Sequence, residues 1–91
     1  MLVLPAELTH AQATASLRML LQGLVSQRGP VLVDATALKR FDSSALAVLL
    51  QCRREALGLQ RGFSVHGLPE RLRALAALYG VDQLLPTPAD A

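Results

Sequence analysis

Residues 31–57 constrain the fold most, because a buried strand, a polar loop and a helix are predicted there in immediate succession. Residues 31–33 are a compact, β-branched apolar run, which predicts a central strand over residues 31–35 that is buried on both faces between parallel neighbours. Apolar residues return at 45–50. Between these runs stand Asp42, Ser43 and Ser44, whose side-chain oxygens can accept hydrogen bonds from the first N–H groups of a helix. We therefore predict a helix over residues 43–57 that begins beside two hydroxyl groups.

The rest of the chain extends this unit into a small α/β domain. Further strands are predicted at residues 1–4, near a sheet edge, and at residues 63–67. Helices are predicted from a cap at Thr9 to residue 27, and from Pro69 to a left-handed stop at Gly80. The alternation predicts a mixed β-sheet with helices mainly on one face, in a domain over residues 1–86 with a flexible tail at 87–91.

Helical spacing predicts which apolar residues face the sheet. The expected buried residues, in chain order, are Leu17, Leu20, Leu21, Leu24 and Val25, then Leu46, Leu49, Leu50 and Leu57, then Leu72, Leu75, Ala76 and Tyr79. On the second helix, Val48 is predicted to point outward beside Ala47, near Ser44 and Gln51. Together these side chains predict a smooth, partly apolar surface next to Ser43.

Composition bounds the class of protein. The chain has 91 residues, 52% of them apolar, which suits one packed domain. A net charge of +2, scattered arginines and 3% aromatic residues argue against nucleic-acid binding. No apolar run approaches the roughly 20 residues of a membrane helix, and no export signal opens the sequence. With Cys52 alone, we expect a cytoplasmic protein that does not insert into the membrane.

The residue types do not assemble into a catalytic, metal or cofactor site. His10, His66 and Cys52 lack metal-ligand spacing, and the glycines form no phosphate loop, so we expect neither an enzyme nor ATP binding. Asp34 is predicted to fix the turn after the central strand. The alternative is a carboxylate pair with Asp42 for a metal or phosphotransfer.

The two serines leave two interpretations open. Ser43 and Ser44 can simply cap the helix, a contribution of about 1 kcal/mol. Alternatively, one hydroxyl is phosphorylated or contacts a partner.

The Asp-Ser pair and its setting resemble a known family. Residues 31–46, a strand leading to Asp42-Ser43 at a helix start, resemble the core signature of STAS domains, the fold of anti-sigma-factor antagonists. Residues 72–86, with Leu78-Tyr79, a short turn and a Leu-Pro pair, are similar to the end of MlaB proteins, which are STAS subunits of a phospholipid ABC transporter. Residues 5–9 resemble the family's turn after an early strand.

This resemblance implies a function that residue chemistry alone does not give. We expect a non-enzymatic subunit that binds the transporter's ATPase, and through it the membrane permease, in maintaining outer-membrane lipid asymmetry. The residues expected to bind the partner lie at the start of the second helix: Ser43, Ser44, Ala47, Val48 and Gln51. The alternative is an anti-sigma-factor antagonist in which a partner kinase phosphorylates Ser43.

Two departures from the family pattern carry expectations of their own. Ala45 stands where the motif often has glycine, which limits close approach of a partner backbone. The N-terminal region is about one strand short of the usual hairpin. An edge strand left unpaired in this way is expected to pair with a second copy of the chain.

Overall fold

A computed structural model describes residues 1–88 and shows strands and helices alternating along the chain. In chain order, the elements are β1 (Leu2–Val3), β2 (Glu7–Leu8), α1 (His10–Ser26), β3 (Val31–Asp34), β4 (Arg40–Phe41), α2 (Ser43–Gly58), β5 (Phe63–His66), α3 (Glu70–Leu78) and a short 3-10 helix (Asp82–Leu84). The α/β fold class is thereby confirmed. The predicted tail falls partly outside this description, because residues 89–91 lie beyond the described residues.

The main sheet has the order β1-β3-β5, and its strands run parallel. Its register places Leu2, Val33 and Val65 in one row, all of them buried. The next row, which points to the other face, contains the exposed Val3 and the half-buried Asp34. One face of the sheet therefore carries the core, as expected for helices packed mainly on one side.

The central strand has the predicted parallel neighbours, but it is not buried on both faces. Val31 and Val33 are buried, whereas Leu32 and Asp34 are only half-buried, so burial alternates along β3. The prediction of two-sided burial was wrong because the apolar run at residues 31–33 does not report whether helices cover the second face of the sheet.

The helix boundaries agree closely with the sequence. The Oε1 atom of Gln12 accepts a hydrogen bond from the Thr9 backbone N–H at 2.8 Å, which closes the first turn of α1. Gly80, with φ of +74°, ends α3, and the Val81 N–H donates to the Ala76 carbonyl at 2.9 Å. This is the left-handed stop that the glycine predicted.

Three residues assigned to the core are exposed. Val25 is 76%, Leu57 45% and Tyr79 59% exposed, and each lies in or directly after the last turn of its helix. Four strand residues span about 13 Å, whereas a 17-residue helix spans about 25 Å, so the helix ends extend past the sheet. Periodicity identifies a face of a helix but not where the surface beneath it stops.

Val48 is buried, although it was predicted to be exposed. It is 3% exposed rather than pointing outward, and Cys52, one turn later, is completely buried. The reason is that α1 packs extensively alongside α2, which gives α2 a second buried side besides the one on the sheet. The predicted outward position of Val48 was therefore wrong.

Two strands were not predicted. β2 and β4 pair in parallel, Leu8 with Phe41, apart from the main sheet. With two residues each, they are too short to show an alternating pattern. Their pairing brings the start of α1 beside the start of α2.

The segment after α3 completes the core. Leu85 is fully buried, and the Pro86 carbonyl accepts a hydrogen bond from the Val65 N–H at 2.8 Å, on the edge of β5. Within residues 1–88, no helix combines the length and the apolar character needed to cross a bilayer.

Candidate functional site

The N-terminal end of α2 is capped by Asp42 and not by the serines. Asp42 Oδ1 accepts a hydrogen bond from the Ser44 N–H at 2.8 Å, and Asp42 has the extended backbone of a capping residue. Ser43 is exposed as the first helical residue, and Ser44 is half-buried. The capping interpretation of the serines is therefore corrected, which leaves the Ser43 hydroxyl without that structural duty.

The same carboxylate reaches a second helix. Asp42 Oδ2 accepts a hydrogen bond from the His10 backbone N–H, the first residue of α1, at 3.1 Å. The N–H groups of Ser44 and then His10 stabilise the charged form, so they lower the pKa of Asp42 below its ordinary value. One side chain thus joins the starts of α1 and α2.

Asp34 fixes the turn after β3, as predicted. Its Oδ1 atom accepts hydrogen bonds from the Thr36 N–H at 2.9 Å and from the Thr36 hydroxyl at 2.7 Å. These contacts, the backbone one first, lower the pKa of Asp34. Gly67, with φ of +69°, lies against Thr36 with no room for a Cβ atom. Asp34 therefore has a local structural role.

No residue set in the described structure suits a metal ion. Among residues 1–88, no three His, Cys, Asp or Glu side chains cluster as metal ligands would. Both carboxylates of the alternative Asp34–Asp42 pair are engaged with backbone N–H groups. Burial raises the pKa of the Cys52 thiol to about 11, so the reactive thiolate is disfavoured at neutral pH.

A groove of about 330 Å³ lies between α1 and α2, and we call it the α1–α2 groove. Its walls are two helix faces with residues spaced three or four apart. They are lined by His10, Ala13, Thr14 and Leu17 of α1 and by Ser44, Ala47, Val48 and Gln51 of α2. The lining is largely apolar at the bottom, where Leu17 and Val48 lie, and polar at the rim.

The structure brings together most of the residues predicted from the sequence. Ser44, Ala47, Val48 and Gln51 form the α2 wall of the groove, and Ser43 stands just outside it at the exposed helix end. Val48 belongs to this set as a buried wall residue instead of an outward contact.

The α1 wall was not predicted. The sequence assigns His10 to no site and predicts Leu17 in the core, although Leu17 is only half-buried. The signal was present in the spacing of His10, Ala13, Thr14 and Leu17, which places them on one side of a helix. What the sequence did not reveal is that this side lies next to α2.

Two arginines make contacts at β4, the strand directly before α2. Arg71 of α3 lies over the Phe41 ring, 5.1 Å from its centroid, and Arg40 contacts Glu7 at 3.6 Å. Both Arg40 and Glu7 are well exposed, so this ion pair contributes little stability. The contacts link α3 and β2 to the strand that leads into Asp42.

Comparison with known protein families identifies a match that covers almost the whole chain. Residues 1–86 match the family described as "Mlab, STAS domain". A comparison with curated proteins finds no significant match. The family match covers the strand, the Asp42-Ser43 helix start and the C-terminal segment through Pro86. The chain therefore belongs to the MlaB-type family of STAS domains.

Proposed function

We propose that this protein is a non-enzymatic STAS subunit that binds the ATPase of a phospholipid-transporting ABC complex. In that role it is a cytoplasmic protein held at the inner membrane through its partners, where the complex maintains outer-membrane lipid asymmetry. The observation that carries the proposal is the family match over residues 1–86. STAS domains generally act by binding other proteins, which supports a role as a binding subunit.

The start of α2 offers a suitable contact surface. Ser43 and Ala47 are exposed one turn apart, so a partner can approach this part of the helix closely. The helix N-terminus carries partial positive charge, which favours acceptor groups on the partner. Because Asp42 provides the cap, the Ser43 hydroxyl can serve the contact without loss of helix stability.

Substitutions at Ser43 test the proposal. Ser43→Ala should leave the melting temperature unchanged and weaken co-purification with the ATPase from the native host. Ser43→Glu should weaken it further, because it places a charge at a close contact, although acidic residues are favourable in the first turn of a helix. Ala74→Glu, which adds the same charge at an exposed position of α3, is the control. Recovery of the ATPase at wild-type levels with Ser43→Glu would contradict this contact.

The alternative function keeps one observation in its favour. Ser43 is exposed and does not cap its helix, so a kinase could reach its hydroxyl. An anti-sigma-factor antagonist would carry phosphate on a fraction of Ser43 in its own host. Intact-mass analysis of the native protein measures that fraction, and the co-purified partner would then be a kinase instead of a transporter ATPase.

A further inference from the structure

We propose that the α1–α2 groove binds an amphipathic helix of the partner whose apolar residues enter the groove and whose flanks carry carboxylates. The inference rests on the proposed function for the identity of that partner. It concerns α1, which lies outside the set of partner-binding residues predicted from the sequence.

The apolar surface of α1 continues beyond the groove. Leu17, Leu21 and Val25 follow one another at intervals of four residues, and a second depression of about 420 Å³ is lined by Arg18, Leu21, Gln22 and Val25. From His10 to Val25 the helix rises about 22 Å, at roughly 1.5 Å per residue. We call this surface, from the groove to Val25, the α1 stripe. Its length suits a partner helix of about four turns.

The opposite wall is built for close approach. Ala47 of α2 is exposed, and the half-buried Gln51 follows one turn later. Small residues let two helix backbones approach, while polar rim groups such as Gln51 and Thr14 can hydrogen-bond to the partner. A concave, polar-rimmed surface of this kind fits a helix better than the flat surface of a bilayer.

Charge indicates which helix the groove accepts. Arg18 borders the α1 stripe, and Arg54 lies one turn after Gln51 on α2; both are exposed. The ion pair within residues 1–88 is Glu7–Arg40, so neither guanidinium has a carboxylate partner in the described part of the chain. The nearby carboxylate of Glu55 accepts a hydrogen bond from Gln51. Carboxylates on the partner complement the two arginines.

A second copy of this chain does not supply such a helix. α1 contains no acidic residue, and α2 and α3 contain one glutamate each among several arginines. A helix from another protein is therefore the occupant that the charges favour.

Photo-crosslinking in the native host tests the inference. A benzophenone amino acid at Thr14 or at Gln22 lies on the proposed surface, and the same amino acid at Ala74, exposed on α3, is the control. We expect Thr14 and Gln22, but not Ala74, to crosslink to one partner segment. That segment should carry apolar residues three or four apart with Asp or Glu beside them.

Crosslinks to a second copy, to lipid or to a segment without acidic residues would overturn the inference, as would the absence of crosslinks at both positions. An acidic amphipathic helix from a protein other than a transporter ATPase would support the groove inference and refute the proposed function. Co-purification with the ATPase without groove crosslinks would support the proposed function and refute the groove inference.

Charge reversal gives an independent measurement. The double variant Arg18→Glu, Arg54→Glu should lower the affinity for the crosslinked partner on the order of tenfold and remove most of its salt dependence. Arg28→Glu, exposed in the loop after α1, is the control and should bind as the wild type. Equal binding by both variants would overturn the inference.

Discussion

Asp42 is an exposed residue whose side chain connects the starts of two helices. Its two carboxylate oxygens accept hydrogen bonds from the N–H groups of Ser44 and His10, which start different helices. The mouth of the α1–α2 groove therefore depends on one ionised group. The sequence identified Asp42 as a residue type that starts helices, but its second contact required the pairing of β2 with β4.

The titration of Asp42 should be visible in the stability of the fold. Its pKa is lowered from 3.8 in the folded protein, so its contribution is present above that value and is lost as the pH falls through the folded pKa. Asp42→Asn should melt at a lower temperature than wild type near neutral pH. The gap should narrow as the pH falls below about 4.

Thermal melts of both proteins over that pH range measure the gap. Asp34 has a lowered pKa as well, so the wild type and Asp42→Asn should both still lose stability in acid. A gap that stays constant at every pH would show that the Asp42 charge does not matter.

Val48 and Ala47 are neighbours with opposite environments. Val48 is 3% exposed, so Val48→Asp should destabilise the fold by several kcal/mol, on the order of the cost of a buried unpaired charge. Ala47→Asp places the same group on the exposed neighbour and should change stability by less than about 1 kcal/mol. Leu49→Ala should cost about 2–5 kcal/mol as a core truncation. Urea denaturation compares them, and equal stability of the two Asp variants would contradict the placement of the α2 faces.

The sequence predicted the three helices well, but it did not predict the two shortest pairing strands, β2 and β4. Capping residues and glycine stops are local signals, so α1, α2 and α3 were located within one or two residues. β2 and β4 exist only through their pairing, which is a tertiary contact. The α2 wall of the candidate site was found for the same local reason, whereas the α1 wall depends on how the helices pack together.

Gln60, two residues after the end of α2, has a strained backbone conformation that a substitution can relieve. Gln60 has φ of +57°, and the Arg61 N–H donates to the Ala56 carbonyl at 2.9 Å around it. A left-handed backbone costs an ordinary residue about 1–2 kcal/mol relative to glycine, part of which is offset by glycine's greater freedom in the unfolded chain. Gln60→Gly should therefore stabilise the protein by about 0.5–1 kcal/mol.

The denaturant midpoint reports this change, with an unchanged slope as evidence that only stability has moved. Gln60→Ala is the control, because alanine keeps the strained conformation and should give little gain. A loss of stability in Gln60→Gly would contradict the argument.

The main sheet ends at β1 in an edge that no other strand of the described structure covers. β1 pairs with β3 alone in the described structure, and Val3 on that edge is 55% exposed. We predict self-association through this edge as protein concentration rises. Light scattering across a concentration series measures it, and Val3→Lys should suppress it. A wild-type protein that stays monomeric at high concentration would refute the prediction.

The segment after α3 is synthesised last among the residues that form the core. Leu85 is fully buried, and the Pro86 carbonyl is bonded to Val65, so the core is incomplete until residues near the end of the described structure are in place. Each parallel strand pair also joins segments that are separated by a whole helix. A ribosome adds only about 5–20 residues per second, so β1, β3 and β5 emerge well before Leu85 can cover them. The newly made chain therefore exposes apolar surface until Leu85 is added, and during that interval a chaperone or the protein's own partner can bind this surface before the core is complete.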